Sequence, residues 1–301
     1  MRETVLVTGG LGFIGSRLCP ALLDAGFRVR CVDDLSGSYA IGTGPAAAAA
    51  LAARGADVVI APAGPAHVRG VEAVIHLAAL PGVRTSRPAT VLHAANVELP
   101  ARLARAAARR GARFVFVSSS SVYGNSERLP TPEDTPPSPL NPYAASKVEA
   151  EAAVLGAGGD PVIVRPFTVY GPGQRPEMAF ARWIAALDSG EPLPWRAAPG
   201  TARDFTYVDD AVAGLMAALV RGRSGEAYNV SGGRSVTLRS ALDLLRAGAE
   251  LLELPPSPAE TLVTAGCRRK AQAELGYSPS VALADGLARQ LAEASSPSLA
   301  A

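Results

Sequence analysis

A glycine-rich turn that follows a short apolar run is the feature that most constrains the fold of this chain. Residues 4–8 (TVLVT) have the composition of a buried strand, and Gly9, Gly12 and Gly15 come directly after them, where a helix is predicted over 13–25. Glycines at this spacing permit a tight turn and let a pyrophosphate approach the N-terminus of the helix. The sequence therefore predicts a dinucleotide-binding strand–turn–helix unit near the N-terminus.

Strand-like runs alternate with helix-like stretches through the first half of the chain. This alternation predicts an α/β fold, a Rossmann-type doubly wound parallel sheet, with a smaller and partly discontinuous C-terminal lobe after Pro166, where elements become shorter and Pro and Gly more frequent. The predicted strands lie near 3–8, 28–33, 56–60, 72–77, 113–118 and 161–165, and the predicted helices near 13–25, 46–54, 90–110 and 142–156.

The composition argues against several classes of protein. A chain of 301 residues with 48% hydrophobic residues can bury a large core, and a formal charge of +2 without a basic run gives no nucleic-acid surface. No apolar stretch reaches membrane-spanning length, and strand-like sequence starts too early for a signal peptide, so we expect a cytoplasmic protein. Cys19, Cys31 and Cys267 match no disulfide or metal pattern, and no metal site is expected.

Tyr143 and Lys147 lie four residues apart, which puts both side chains on one face of a predicted helix. An ammonium near the phenol favours the phenolate, so the tyrosine can accept a proton near neutral pH. The run 118–121 (SSSS) follows the strand-like residues 114–117, at the sheet edge where open α/β folds bind their ligands. These residues and the glycine turn together predict an oxidoreductase-type active site.

Asp33 is the residue expected to select the dinucleotide. It ends the second predicted strand, 18 residues after Gly15, where an acid accepts hydrogen bonds from the adenosine ribose. A carboxylate at this place would repel a 2′-phosphate, which favours NAD over NADP. The adjacent Asp34 is the alternative for this role.

With these motifs in place, the chain resembles the extended short-chain dehydrogenases/reductases of the nucleotide-sugar epimerase/dehydratase family. The resemblance extends from residue 5 to about 233. It is carried by the glycine turn, Asp33, 74–79 (VIHLAA), Asn96, 118–124 (SSSSVYG), Tyr143 with Lys147, 165–172 (RPFTVYGP) and 203–210 (RDFTYVDD).

The resemblance implies a mechanism and a cofactor site. Tyr143 would remove the proton of the sugar 4-hydroxyl, Lys147 would hold the ribose of NAD and lower the pKa of the tyrosine, and Ser119 would bind the substrate oxygen. The 4-keto sugar could then be epimerised, dehydrated or decarboxylated. The NAD-binding residues implied are Gly9, Gly12, Phe13, Ile14, Gly15, Asp33, Leu77, Ala78, Ala79, Asn96, Tyr143 and Lys147.

The family's branches differ at a few positions that this chain also contains. The 4,6-dehydratases carry Asp-Glu where this chain has Ser120 and Ser121, and the decarboxylases that form UDP-xylose carry Glu at 121 and Asn at the position of Thr168. The UDP-glucuronate 4-epimerases resemble this chain in SSSSVYG, in AAxxGVR (78–84) and in FTVYGPxxRPxM (167–178). The expected reaction is therefore conversion of UDP-glucuronate to UDP-galacturonate.

Three alternatives remain open at this point: a UDP-glucuronate decarboxylase, a UDP-glucose/galactose 4-epimerase, and an NAD-binding sensor or scaffold without chemistry. The substrate-binding residues implied are Ser120, Ser121, Thr168, Arg175, Trp195 and Arg203. Arg175 would contact the sugar carboxylate or be a solvated loop arginine. Trp195 would stack on the uracil or be a packing anchor, and Arg203 would bind the diphosphate or pair with Asp204.

The chain departs from the family pattern at two places. Ala61-Pro62 replaces the usual Gly-Asp after the third strand, and Ala265-Gly266 replaces an expected Ala-Asp, with no familiar arginine before it to complete the diphosphate site. His76 is expected to be structural, and Asp209-Asp210 is expected to cap a helix over 211–220. The predicted partners are a UDP-sugar and a second copy in a homodimer, with no nucleic acid and no membrane.

The predicted division of the chain follows from these assignments. Residues 1–165 form the NAD-binding Rossmann domain with the catalytic residues. Residues 166–294 are mainly the nucleotide-sugar-binding lobe, with some elements returning to the main sheet, and 295–301 are predicted to be a disordered tail.

Overall fold

The structure is a computed structural model that describes residues 3–37, 43–82, 88–245 and 250–294. The predicted tail and residues 83–84 of the AAxxGVR match lie outside the described residues. The first half contains β1 (Thr4–Thr8), α1 (Gly15–Asp24), β2 (Arg28–Asp33), α2 (Pro45–Ala53), β3 (Asp57–Ile60), β4 (Ala73–His76), α3 (Ala89–His93), α4 (Leu99–Ala108), β5 (Arg113–Val117), α5 (Pro142–Leu155) and β6 (Asp160–Pro166). The second half contains β7 (Thr168–Tyr170), α6 (Ala179–Ser189), β8 (Leu193–Trp195), β9 (Ala202–Tyr207), α7 (Val208–Arg221), β10 (Ala227–Val230), β11 (Ser235–Thr237), α8 (Leu238–Leu245), β12 (Leu251–Glu253) and α9 (Leu283–Ala294).

Seven parallel strands form the main sheet in the order β10-β6-β5-β4-β1-β2-β3. The chain winds outward from β1 in one direction and from β4 in the other, so the direction of winding switches between these two strands. In such sheets the ligand crevice lies beyond the carboxyl ends of the strands at the switch. The predicted α/β, doubly wound fold is confirmed.

The strands are apolar on both sides because helices cover both faces of the sheet. Val5 and Val7 face a core shared with Leu18 of α1 and Leu215 of α7. The intervening Leu6 faces the opposite core, which α4 and α5 cover through Leu103 and Val154. This double burial explains the unbroken apolar runs that mark the strands in the sequence.

The predicted helix over 90–110 is divided in the structure. A π-helical turn, Ala94–Glu98, separates α3 from α4 and contains the buried Asn96. The wider turn changes the direction in which side chains leave the helix, and such turns often occur at functional sites.

The second half of the chain contributes one strand to the main sheet and builds two small sheets. β10 pairs in parallel with β6, while β11-β9-β7 and β12-β8 form separate sheets. Aromatic rings pack beside the three-stranded sheet, with Tyr170 edge-on to Phe180 and Phe205. No helix within the described ranges is long and apolar enough to span a membrane.

The start of α7 differs from its sequence-based prediction. The helix begins at Val208, three residues earlier than expected, and no side chain caps it. The carboxylate of Asp210 instead accepts hydrogen bonds from the backbone N–H groups of Ser280 and Val281, at 2.8 and 3.1 Å. The prediction that Asp209-Asp210 caps this helix is therefore wrong, because a distant segment of chain supplies the donors for Asp210.

Candidate active site

The glycine turn is compressed against the end of β4. Gly9 has a φ of +70°, and a Cβ built on it would lie 2.7 Å from the backbone N of Ala78. A Cβ on Gly15 would collide with the carbonyl oxygen of Gly9, whereas one on Gly12 would meet only that oxygen, at 3.4 Å. The turn is thus tight on its inner side and open on its outer side, which fits a dinucleotide pyrophosphate at the start of α1.

Asp33 holds the glycine turn in place from the end of β2. Its carboxylate oxygens accept hydrogen bonds from the backbone N–H of Leu11 and of Leu35, both at 3.0 Å, and the side chain is buried. The predicted contact of Asp33 with the cofactor ribose stays a prediction, as do the other assignments to individual residues.

Lys147 is buried one helical turn after Tyr143 on α5. Its Nζ donates to the carbonyl oxygen of Val117 at 2.9 Å and lies 5.9 Å from the centre of the Tyr143 ring. Burial lowers the pKa of Lys147 to about 8, and the nearby Glu151 carboxylate opposes this shift. The lysine therefore retains charge at neutral pH in an otherwise apolar setting beside Phe116.

Tyr143 meets the serine segment through its phenol. Burial raises the pKa of Tyr143, while the Arg175 guanidinium and a hydrogen bond with Ser119 lower it. The ammonium of Lys147 donates to Val117 at the end of β5, and the expected lowering of the tyrosine pKa by Lys147 stays a prediction. The tyrosine, the serine and the arginine are thus brought together from three separate parts of the chain.

The serine segment presents hydroxyl groups at the carboxyl end of β5. Ser119 Oγ accepts a hydrogen bond from the backbone N–H of Ser121 at 3.1 Å. Among the described residues, the buried hydroxyls of Ser118 and Ser121 have no hydrogen-bond partner. Ser120 is partly exposed beside them. Unpaired buried hydroxyls of this kind are available to a ligand.

Asn96 connects the loop after β4 with α5. Its amide oxygen accepts from the N–H of Leu80 at 2.8 Å, and its amide nitrogen donates to the Leu80 carbonyl and to Ser146 Oγ, at 3.0 and 3.1 Å. Ser146 in turn donates to the carbonyl of Tyr143. Asn96 therefore fixes the loop after β4, which contains Leu77, Ala78 and Ala79, against the first turns of α5.

His76 is structural, as the sequence suggests. It lies buried at the end of β4, where Nδ1 is 2.7 Å from Thr8 Oγ1 and the ring stacks between Phe114 and Phe116. Burial, with a smaller effect of Lys147, lowers its pKa to about 3. The ring is therefore neutral at neutral pH.

The predicted substrate residues of the second half lie on different elements. Thr168 is half-buried at the start of β7, and Arg175 lies on the loop after it, with Nη2 3.6 Å from the sulfur of Met178. Trp195 stacks on Trp183 with ring centres 5.7 Å apart. This stacking supports the packing role that the sequence left open for Trp195.

Arg203 lies on β9 and is held there by contacts of its guanidinium. Its Nη1 donates to the carbonyls of Ala202 and Leu262, at 3.0 and 3.2 Å, and its Nη2 lies 3.7 Å from a carboxylate oxygen of Glu260. The expected alternative partner, Asp204, is turned away and fully buried. The arginine is therefore fixed by backbone oxygens and not by the side chain of Asp204.

Asp204 ties β9 to two glycine segments. Its carboxylate accepts from the N–H of Gly233 and of Gly266, at 3.0 and 2.9 Å. Burial raises its pKa to about 6 despite these hydrogen bonds. A Cβ at Gly266 would lie 2.6 Å from Cβ of Ser231, so the aspartate expected at 266 has no room in this chain.

A buried ion pair beneath the site was missed by the sequence analysis. Arg165 Nη2 lies 2.6 Å from Glu151, and Nη1 donates to the hydroxyl of Tyr123 at 2.8 Å. Both charged side chains are less than a tenth exposed. The sequence contained an indication of this buried acid, because Glu151 lies four residues after Lys147 and therefore on the same helix face.

Comparisons with known proteins agree with this geometry. Residues 5–231 match the model of the NAD dependent epimerase/dehydratase family. A dTDP-glucose 4,6-dehydratase of Streptomyces griseus is 34% identical, over 97% of this chain and 94% of the relative, and UDP-glucuronate 4-epimerase 1 of Arabidopsis thaliana is 31% identical, over 94% and 75%. The crystal structure of a UDP-glucuronic acid 4-epimerase from Bacillus cereus with UDP-glucuronic acid and NAD aligns with a TM-score of 0.89 at 33% identity, covering 97% of this chain and 98% of the other.

Proposed function

Because the chain belongs to the NAD dependent epimerase/dehydratase family, we propose that it interconverts UDP-glucuronate and UDP-galacturonate through a transient 4-keto sugar. It is an NAD-dependent enzyme of nucleotide sugars, as its relatives are. The observation that carries the finer proposal is the segment Ser118 to Ser121, which offers hydroxyls, and no carboxylate, next to the catalytic tyrosine.

Tyr143 and Ser119 are the residues that we propose act at the sugar 4-hydroxyl. Tyr143 is the base that takes the proton of this hydroxyl, and Ser119, hydrogen-bonded to the phenol, orients the oxygen that loses it. NAD, when bound, would supply a hydride acceptor and a positive charge. The Arg175 guanidinium also favours the phenolate, and Lys147 keeps α5 in register with the end of β5.

The hydroxyl cluster has a chemical role when the sugar is a uronic acid. Its 4-keto form is a β-keto acid, which loses CO2 when the C–C bond to the carboxylate lies across the carbonyl plane. Hydrogen bonds from Ser120, Ser121 and Thr168 would hold the carboxylate out of that orientation. The buried, unpaired hydroxyl of Ser121 supports this role.

Dehydration is the main rival, because dehydratases are among the similar proteins. Removal of the 6-hydroxyl requires an acid and a base near C5 and C6. The dehydratases carry these carboxyls at the positions of Ser120 and Ser121. Serine has no titratable group in the required range, so the chain lacks the catalyst for that step.

Proton NMR of the purified, NAD-loaded protein with UDP-glucuronate tests the proposal. We expect a UDP-galacturonate anomeric signal that grows toward an equilibrium mixture, and its absence in a Tyr143→Phe variant that retains NAD. Signals of UDP-xylose or its 4-keto form would instead establish a decarboxylase. Conversion of dTDP-glucose to a 4-keto-6-deoxy sugar, with no reaction of UDP-glucuronate, would establish a dehydratase.

A further inference from the structure

A small cavity in the second half of the chain is lined by two arginines, Arg196 and Arg203. The loop 196–201, between β8 and β9, forms one wall, and the segment 256–262 forms the other. The cavity measures about 50 Å³, room for a few waters or a compact polar group at about 10–15 Å³ per water. Arg203 was expected from the sequence, but Arg196 was not.

The Nε–H group of Arg196 lacks an acceptor. The Nε atom is buried and has no hydrogen-bond partner among the described residues. Buried guanidinium N–H groups are almost always paired, because leaving one unpaired is unfavourable. The Nε–H of Arg196 is therefore a hydrogen-bond donor that an anionic ligand could pair with.

The charges around the cavity also favour an anion. Two guanidinium groups and one carboxylate, that of Glu260, line it. The carboxylate lies 3.7 Å from Nη2 of Arg203, and because two cations and one anion line the cavity, the net charge of its lining is positive. Planar guanidinium groups match phosphate oxygens in geometry and bind them with charge-assisted hydrogen bonds.

The outer wall of the cavity is tied to the catalytic helix. The carbonyl of Ala259 accepts a hydrogen bond from Nδ2 of Asn141 at 3.0 Å, and the N–H of Leu262 donates to Oδ1 of Asn125 at 2.8 Å. Asn141 caps α5 two residues before Tyr143, through the N–H of Ala144. An anion bound in the cavity would thus lie against the same loop segments that hold the base.

We propose that Arg196 and Arg203 together bind the diphosphate of the nucleotide sugar, with Arg196 as the second phosphate-binding cation. This inference rests on the proposed nucleotide-sugar substrate and is independent of which sugar the enzyme converts. It also accounts for the absence of an arginine before Ala265-Gly266, since the cation comes from the loop after β8 instead.

Isothermal titration of the NAD-loaded protein with UDP, UMP and uridine tests the role of Arg196. We expect Arg196→Gln to weaken UDP binding by about tenfold or more, the usual size of a lost charge-assisted contact, and to leave uridine binding unchanged. Arg196→Lys should retain part of the affinity for UDP. Arg239→Gln serves as the matched control, because this exposed arginine of α8 lies outside the cavity.

Equal losses for UDP and uridine would overturn the inference, because Arg196 would then act on the nucleoside or on the fold. Unchanged UDP binding by Arg196→Gln would also overturn it, even in an enzyme that converts UDP-glucuronate. If the affinity for UDP depends on Arg196 but the protein does not convert UDP-glucuronate, only the proposed sugar substrate is contradicted. The two failures are therefore distinguishable.

Discussion

The ammonium of Lys147 donates a hydrogen bond to the carbonyl oxygen of Val117, at 2.9 Å, and so ties α5 to the last residue of β5. The serine segment starts at the next residue, and Tyr143 lies one helical turn before the lysine. One hydrogen bond therefore aligns the end of the strand that precedes Ser119 with the helix that carries Tyr143. The lysine has this structural task in addition to its predicted contact with the cofactor ribose.

Replacing Ser121 with glutamate should change the fate of the 4-keto intermediate. A carboxylate at 121 would repel the sugar carboxylate and loosen its orientation, so we expect the ratio of UDP-pentose to UDP-galacturonate to rise by about tenfold, equivalent to about 1.4 kcal/mol between the two barriers. Product analysis by NMR measures this ratio. Ser224→Glu, at an exposed site, is the control. An unchanged ratio would contradict the assigned role of the hydroxyl.

Replacing Arg175 with glutamine should shift the pH profile of the reaction. The guanidinium lowers the pKa of Tyr143, so its loss should raise that pKa and move the ascending limb of kcat/KM to higher pH. We expect about a tenfold fall in kcat/KM at neutral pH. Steady-state kinetics from about pH 6 to about pH 10 measure the shift of this limb. If KM rises but the ascending limb of the kcat/KM profile does not move, Arg175 only binds the sugar carboxylate.

Removing the carboxylate of Glu151 should destabilise the fold. The Glu151→Ala variant leaves the Arg165 cation buried without its partner, which costs about 3–5 kcal/mol in comparable cases. Urea unfolding followed by circular dichroism measures the loss. We expect a Glu151→Met/Arg165→Met double variant to recover much of it, and Asp134→Ala, which breaks an exposed ion pair, to resemble the wild type. If Glu151→Ala had the same free energy of unfolding as the wild type, the ion pair would not contribute to stability.

The buried carboxyl of Asp204 should make stability depend on pH. Its pKa is raised to about 6 in the folded protein. The folded protein therefore binds the proton of this carboxyl more tightly than the unfolded chain does. The free energy of unfolding should therefore fall as the pH rises from about 4 to about 6, by about 3 kcal/mol at 1.4 kcal/mol per pH unit. Asp204→Asn should remove this slope, and the exposed Asp188→Asn should keep it. The same slope in all three proteins would exclude Asp204 as its source.

The residues on which the sequence-based predictions rest are those whose expected roles follow from local spacing. The glycine turn is a strand–turn–helix pattern within a dozen residues, and Tyr143 and Lys147 share a helix face at a spacing of four. Together with the alternation of apolar runs they predicted the fold, the family and NAD, all of which are confirmed. The homodimer, the cytoplasmic location and the domain boundary at 165 stay predictions.

The tertiary structure decided the contacts between residues that are distant in the chain. Asp204 finds its donors 29 and 62 residues away, Tyr143 is influenced by Arg175 from another loop, and Arg196 meets Arg203 across a cavity closed by residues 256–262. Local periodicity predicts which face of an element is buried, because it repeats with the geometry of that element. Which polar groups meet inside depends on how distant elements pack, and only the folded chain determines that.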